Sequence, residues 1–423
     1  MGRLLMNNRD INYFKIFLLG FGFLSISLLW AIYNTDIPII LQKTYKLSSF
    51  VVGWVMNIDN ILAILLIPII GALSDRTITK IGKRMPYIIS SLPLGAILFA
   101  LIPWIPLIWG VNTPSLLLTI FVIFLMNIAQ GVGRGPVISL MPDLVPPEER
   151  SPANGIINFM GGLGALIAYF LVGKISAENR PLGFLIVGII QILAVLILYI
   201  FVKEHKNSIV LKSSKKVSWN ESFKNLLNIR DRNLIFLLIA ILFWFISFNA
   251  IETFYSVYMA LESGLDPSVG ETLAKTNLGI LSLSFMIFSI PSGFIGKKIG
   301  RKKAILLGIS GMIITLIGLI ILKNLNIVRY LFIIGGISWA LINTNSLPMV
   351  LDFASLNLQG TYTGFYYFSS QLASIISPPL AGFLADVFKT RFIIFPFSAF
   401  FAILALISIL EVKEKKIDVN FRT

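Results

Sequence analysis

The feature that most constrains this chain is a recurrence of apolar runs, each long enough to cross a bilayer. Twelve are legible, near residues 14–41, 50–73, 87–109, 115–142, 152–173, 181–202, 233–260, 271–295, 304–322, 329–351, 362–385 and 392–410. A helix rising about 1.5 Å per residue needs roughly 20 residues to span membrane hydrocarbon. Backbone groups in that medium must be satisfied within their own segment, so the runs are expected to be helices. Nothing shows the two-residue alternation of a membrane barrel. Composition agrees: 56% of the 423 residues are hydrophobic and 13% charged, more apolar surface than a soluble chain can bury. The first run is too long, and lacks the small-residue cleavage site, for a signal peptide. The expected fold class is an all-α polytopic membrane protein of twelve transmembrane helices.

The net charge of +15 invites a nucleic-acid reading, but the placement of the charges argues against it. Of the 35 Lys and Arg residues, 25 fall in the two tails and in every second loop, and eight in the remaining loops. Arg134 and Lys275 lie inside runs. The positive-inside rule then puts both termini in the cytoplasm, and the charge is explained by topology. The longest polar stretch, 203–232, reads as a cytoplasmic linker. It separates a six-helix bundle at 1–202 from a second at 233–423 with a short basic tail. Internal echoes support duplication. Asp143 and Gly155 recur as Asp352 and Gly364 at an offset of 209, and Tyr33-Asn34 recurs as Phe248-Asn249 at 215. Parallel repeats of this kind are one architecture of membrane transporters. There is no Cys, and the single histidine, His205, lies in the linker. Thiolate or histidine chemistry is excluded, so no enzyme, metal site or cofactor is expected.

The basic turn between the second and third runs carries more. It reads Gly71-Ala-Leu-Ser-Asp75-Arg76-Thr-Ile-Thr-Lys80-Ile-Gly82-Lys83-Arg84-Met-Pro86-Tyr87, with a degraded copy at Gly293 to Lys302. Gly71-x-x-x-Asp75-Arg76 followed by Gly82-Lys83-Arg84 resembles the signature loop of the major facilitator superfamily. The three extra residues before Gly82, and Pro86-Tyr87 after it, resemble the loop of sucrose transporters and the related glycoside–pentoside–hexuronide:cation symporters. Gly135-Pro136 and Pro142-Asp143-Leu144 resemble the end of their fourth helix. The resemblance implies the major facilitator fold, two pseudo-symmetric six-helix bundles working by alternating access. The chain departs from that branch where carboxylates are expected: Asn127 stands for an Asp on the fourth run, and Ala63 and Ile67 stand for paired Asp on the second. Ile138 stands where an arginine follows the Gly-Pro pair. The family's sodium site therefore does not carry over.

Coupling residues must be sought among charges inside the runs, each costing about 2.5–3.5 kcal/mol on insertion scales. Glu252, Asp59 and Arg134 are the candidates for proton coupling. Glu252 shares a helical face with Asn249 and Ser256, and Arg134 one with Asn127 and Gln130. A lone arginine at that depth wants a carboxylate, and Asp59 and Glu252 are the deep ones. Trp339 and Asn343, with Asn34 and Tyr366, add the aromatic face and amides that a sugar ring uses. The competing readings are a polar helix contact for Glu252, a structural ion pair for Arg134, a packed Trp339, and interfacial tyrosines for Tyr362 and Tyr366. Asp36 reads as an interfacial or lid residue, and Glu271 with Lys275 as a simple i, i+4 pair. Asp143 ends a helix against its dipole and needs a cation. A cytoplasmic gate is expected from Asp75, Arg76, Gly82, Lys83, Arg84, Asp143 and Arg150. Its second copy reads as disabled, with Lys297 in place of the Asp and Gln359 in place of the Arg.

The expected function is secondary active transport, a sugar or glycoside carried with a proton, or with sodium, across a bacterial plasma membrane. The partners are a small-molecule substrate and the bilayer, with no nucleic acid, and the protein acts as a monomer. The alternatives are an efflux antiporter for amphipathic compounds and a non-transporting superfamily member that serves as assembly factor or sensor.

Overall fold

The computed structural model describes residues 13–145, 150–204, 231–322, 324–353 and 359–413. The linker with His205, and the side chains of Arg150 and Gln359, lie outside the described residues. The described chain is helical, with no β-strand among the described residues. Among the described residues, eleven helices are long and apolar enough to cross a membrane: α1 Phe14–Thr44, α2 Ser49–Arg76, α4 Thr113–Leu144, α5 Ile156–Glu178, α6 Arg180–Phe201, α7 Arg232–Leu261, α8 Pro267–Ile299, α9 Arg301–Ile321, α10 Ile327–Leu351, α11 Tyr362–Phe388 and α12 Arg391–Glu411. The remaining apolar helix, α3 Met85–Leu101, is shorter. The third run was expected to continue to 109. It breaks after Leu101, because Pro103 removes a backbone donor, and resumes only as the turn Trp104–Trp109.

Polar loop residues set the helix starts. Asn112 accepts from Ser115 N at 2.9 Å while Ser115 Oγ accepts from Asn112 N at 3.2 Å, a capping box that opens α4. Asp231 and Asp266 cap α7 and α8 without the reciprocal bond, accepting from Asn233 N and Ser268 N. Large apolar side chains point outward along the helices, among them Ile69, Leu107, Ile290, Phe294 and Ile321, where a soluble bundle would place polar groups.

Helix pairing repeats along the chain. Among the first six helices α1 packs on α5 and α6, α3 on α4 and α6, and α2 on α4. Among the last six α7 packs on α11 and α12, α9 on α10 and α12, and α8 on α10. The two sets are the same five pairs shifted by six helices. The sets meet where α1 packs on α7, α2 on α11 and α5 on α8. Two glycines make the α2–α11 crossing a backbone contact: a Cβ on Gly382 would overlap the Ser49 carbonyl, and one on Gly53 the Pro378 carbonyl.

Candidate functional site

Three ionisable side chains from three helices converge at mid-depth. Asp59 of α2 lies within electrostatic reach of Arg134 of α4 and of Glu252 of α7. Asn34 of α1 donates from Nδ2 to Glu252 Oε1 at 3.3 Å, which links the first and last six helices. Asn127 donates to the Tyr33 hydroxyl at 3.1 Å. Among the described residues, Asp59 Oδ1 and Asn127 Oδ1 are buried acceptors with no donor. Asn249 turns to α11 and donates to Ser374 Oγ at 3.0 Å.

Gln130 is turned away from this cluster. Its amide exchanges both hydrogen bonds with Gln191 of α6, each 3.1 Å, against Gly95 of α3. That corrects its expected place among substrate contacts: at 60° around the helix from Asn127, position 130 faces the α3–α6 packing seam. Tyr366 is buried and accepts from Ser346 Oγ at 3.3 Å, so it is no interfacial belt residue. Trp339 stacks on Phe248 with centroids 4.0 Å apart and planes 6° from parallel, and Phe245 meets its edge at 5.2 Å. Asn343 is half-buried one turn further along α10. Behind the stack, a cavity of about 80 Å³ runs from Tyr169 and Glu252 into the last six helices.

The end of the bundle away from the Gly82 turn is closed by charges that sequence reasoning misassigned. Lys275 of α8 does not pair with Glu271. Its Nζ meets Asp36 Oδ1 of α1 at 2.6 Å, and both side chains are fully buried. Ser176 of α5 donates to Asp36 as well. Glu271 instead pairs with Arg180, and with Lys43 at 3.5 Å. The i, i+4 expectation failed because Asp36 of α1 and Arg180 of α6 reach these side chains and offer closer partners. On the opposite flank Asp386 of α11 accepts the amides of Ser49 and Phe50 at 2.8 Å, capping α2 from another helix. Nearby Arg391 joins Gln42 to Glu262. Burial alone would raise the Glu262 carboxyl, but hydrogen bonds from Thr390 and the backbone and side chain of Arg391 hold it below its usual range.

At the turn end, Arg84 is the hub. Its guanidinium pairs with Asp75 and with Asp143 Oδ2 at 2.9 Å, and donates to Gly71 O at 3.3 Å. Lys83 adds a pair to Asp143 Oδ1 at 3.0 Å, so Asp143 has the cations its helix end demands. Arg76 is exposed. Glu204 accepts the amides of Lys83, Arg84 and Met85 at 2.9–3.0 Å, capping α3. Gly82 is required twice over: its φ is +116°, and a Cβ would overlap the Glu204 carboxylate. The second copy of the turn keeps one such contact. Arg301 pairs with Asp352 and donates to Pro348 O at 3.0 Å, repeating the Arg84–Asp143 contact. The sequence comparison looked at Lys297 in place of Asp75 and Gln359 in place of Arg150, and overlooked Arg301 after Gly300.

Among the described residues, no three acidic or histidine side chains converge as a metal ion requires. What the centre offers is a polar, ionisable lining beside an aromatic wall, closed at one end. The profile of the Major Facilitator Superfamily matches residues 19–378. The chain belongs to that superfamily. It is a secondary active transporter of small solutes rather than an enzyme. The hexuronate transporter of Bacillus subtilis (strain 168) is 27% identical over 395 residues, 85% of this chain and 83% of that one. The isoprimeverose transporter of Lactiplantibacillus pentosus is 22% identical over 387 residues, 85% and 77% of the two chains. The crystal structure of the nucleoside transporter NupG shares the fold with a TM-score of 0.72 at 15% identity, covering 94% of this chain and 99% of that one. These relatives bear different solute names. Superfamily membership is therefore firm, and the sucrose-transporter branch suggested by the turn is not singled out.

Proposed function

We propose that this superfamily member carries a sugar or glycoside together with a proton, by rocking of two six-helix bundles, residues 1–202 and 233–423, about a central site. Two relatives named for a hexuronate and for isoprimeverose support a sugar-like solute. The shifted repetition of the five helix pairs supports the two bundles, giving twelve spans with α3 counted. The lysine and arginine distribution supports cytoplasmic termini, and the bacterial relatives support a bacterial plasma membrane location. On that sidedness, the closed end faces outside and the Gly82 turn faces the cytoplasm.

The observation that carries the reading is the Asn34–Glu252 bond across the bundles, beside Asp59 within reach of both Arg134 and Glu252. Two carboxylates face one guanidinium. One proton makes the centre formally neutral, which lowers the cost of closing it away from water. Arg134 repels a metal cation but not a proton held on a carboxylate, which favours the proton over sodium. The buried acceptors of Asp59 and Asn127 suit hydroxyl donors, and the Trp339–Phe248 wall suits the CH face of a ring. Glu252 is assigned as the coupling carboxylate, Asp59 as its partner, and Arg134 as the group that tunes both. Asn34, Asn127, Asn249, Trp339, Asn343 and Tyr366 are assigned to the substrate. Arg84 with Asp75, Lys83 and Asp143 is assigned to the cytoplasmic gate.

The test is uptake of labelled mono- and disaccharides and hexuronates into proteoliposomes with and without an inward proton gradient. The gradient is expected to drive accumulation by the parent protein. Glu252→Gln is expected to retain exchange but lose at least tenfold of gradient-driven accumulation. Unchanged gradient-driven uptake in that variant refutes the assignment of Glu252.

A further inference from the structure

Helix α11 carries two consecutive prolines, Pro378 and Pro379, in its interior. A helical proline withholds the amide that would bond the carbonyl four residues earlier, so Pro379 frees the carbonyl of Ile375. An unpaired carbonyl at a buried helix crossing costs free energy. Its donor comes from the other set of helices: Asn57 of α2, fully buried, donates from Nδ2 to Ile375 O. The helices come close enough because Gly53, one turn before Asn57, lies against the Pro378 carbonyl and Pro379 Cα. Asn57 stands where α2 is interrupted, between Ser49–Met56 and Ile58–Arg76, with its backbone N–H turned to Trp54 O at 3.1 Å. It is the first of these two pieces that packs most on α11, so the crossing belongs to the closed half of the molecule. The other half of the Asn57 amide brings no gain. Oδ1 is a buried acceptor with no donor among the described residues, a cost that a leucine of similar bulk avoids. What asparagine adds over leucine here is the donor.

We infer that Asn57 is a positioning residue for transport, a surrogate backbone donor that completes the hydrogen bonding of α11 only while this end of the molecule is closed. The inference rests on the rocking reading above and adds a bond that weighs one state against the other. When the closed end opens, α2 leaves α11 and water takes over the Ile375 carbonyl. Without Asn57 the carbonyl is still hydrated in the open state but bare in the closed one, so the penalty falls on the closed state alone. Asp59 lies in the first turn of the second piece of α2, so the same separation moves a central carboxylate.

Single introduced cysteines test it, since the chain has none of its own. Ala260 of α7 is buried against Ile39 of α1, across the two sets of helices at the closed end. The rate at which a membrane-impermeant maleimide labels Ala260→Cys in lipid nanodiscs follows the open fraction. Ala153→Cys, buried within the first set toward the Gly82 turn, reports general loosening. Asn57→Ala and Asn57→Leu are each expected to speed labelling at position 260 about tenfold and to leave position 153 unchanged. Pro379→Ala gives the Ile375 carbonyl its own helical donor. In that background the same two substitutions are expected to change the rate about twofold or less. A variant that folds only together with Pro379→Ala supports the inference in the same way. Parental labelling in Asn57→Leu would make the residue a packing contact and overturn it. So would a tenfold effect that persists with Pro379→Ala, or labelling that rises equally at positions 260 and 153. Lys275→Met, which breaks the buried pair with Asp36, separates this inference from the reading beneath it. If Lys275→Met speeds labelling at position 260 and the Asn57 variants do not, Asn57 alone is misassigned. If Lys275→Met has no effect either, the rocking reading falls and the inference falls with it.

Discussion

Removing Lys275 tests whether buried electrostatics hold one end of this transporter shut. Lys275→Met keeps the length and the apolar stem of the side chain and deletes only the charge. Asp36 is then left with the Ser176 hydroxyl and with Arg180, whose Nη2 is 3.9 Å from Oδ1. Breaking a buried pair by deleting one partner costs about 3–5 kcal/mol, because the remaining charge stays desolvated. The residual partners of Asp36 argue for the lower end, roughly 3 kcal/mol. The pair joins α1 to α8, across the two sets of helices, so the penalty falls on the closed arrangement. When that end opens, Asp36 regains water. A bias of about 3 kcal/mol shifts the closed-to-open ratio roughly a hundredfold. The chain has no native cysteine, so Glu178→Cys and Val269→Cys, both exposed at the closed end, can be spin-labelled without background. Pulsed electron-electron resonance in nanodiscs is expected to show one short distance in the parent and a dominant longer one with Lys275→Met. Replacing the pair by Asp36→Leu with Lys275→Met removes both charges and is expected to restore the short distance. A folded Lys275→Met protein with the parental distance distribution would refute the reasoning. So would a double variant as open as the single one.

At the other end, Arg84→Lys is expected to abolish most transport while leaving the protein folded, because an ammonium cannot fork to Asp75, Asp143 and the Gly71 carbonyl together. Uptake normalised to folded protein checks this. Glu262 provides a pH signature outside the spans. Its folded pKa lies below the unfolded value near 4.3, so its stabilisation is complete above that pH and is lost as pH falls through the folded value. Thermal unfolding in detergent is expected to show the parent losing Tm more steeply than Glu262→Gln between pH 5 and pH 3. Equal slopes would show that the hydrogen bonds to Arg391 and Thr390 do not hold the carboxylate.

The architecture was largely legible because bilayer physics writes it into length and polarity. Twelve runs, two of them flanking a Gly-rich basic turn, anticipated the helices closely. Only the third run misled, since Pro103 ends a helix that hydropathy alone carries on. The centre was legible for the same reason: a charge inside a greasy segment stands out, and Asp59, Arg134 and Glu252 do converge. Rotation was less legible. Gln130 shares a helical row with Asn127, yet 60° suffices to place it in a packing seam with Gln191. Least legible was partner choice. Lys275 has an acidic neighbour four residues away, and local spacing made that the obvious pair. Asp36 on a helix 239 positions earlier takes it instead. The available signal was that Asp36 and Lys275 are opposite charges inside runs one and eight, at positions that the alternation of the spans puts on the same side of the membrane.

The two ends of the bundle are held by different kinds of contact, and the difference bears on how the molecule moves. At the closed end several ion pairs and caps join the first six helices to the last six, Asp36 to Lys275, Arg180 to Glu271, and Asp386 to the start of α2, although Arg391 to Glu262 stays within the last six. At the turn end, among the described residues, the ion pairs stay within one set: Arg84 to Asp143 in the first and Arg301 to Asp352 in the second. The closed-end contacts between the sets must break for that end to open. The turn-end contacts need not break for either motion, because each moves with its own set of helices. They brace α2, α3 and α4, or α9 and α10, as rigid units that carry the strain of rocking. A gate residue at the turn end thus acts through stiffness, and one at the closed end through the energy of a bond that opens and closes. On this reasoning Lys275→Met alters which state is populated. Arg84→Lys impairs movement in both directions, and its spin-label distances at the closed end are expected to stay parental while uptake is lost.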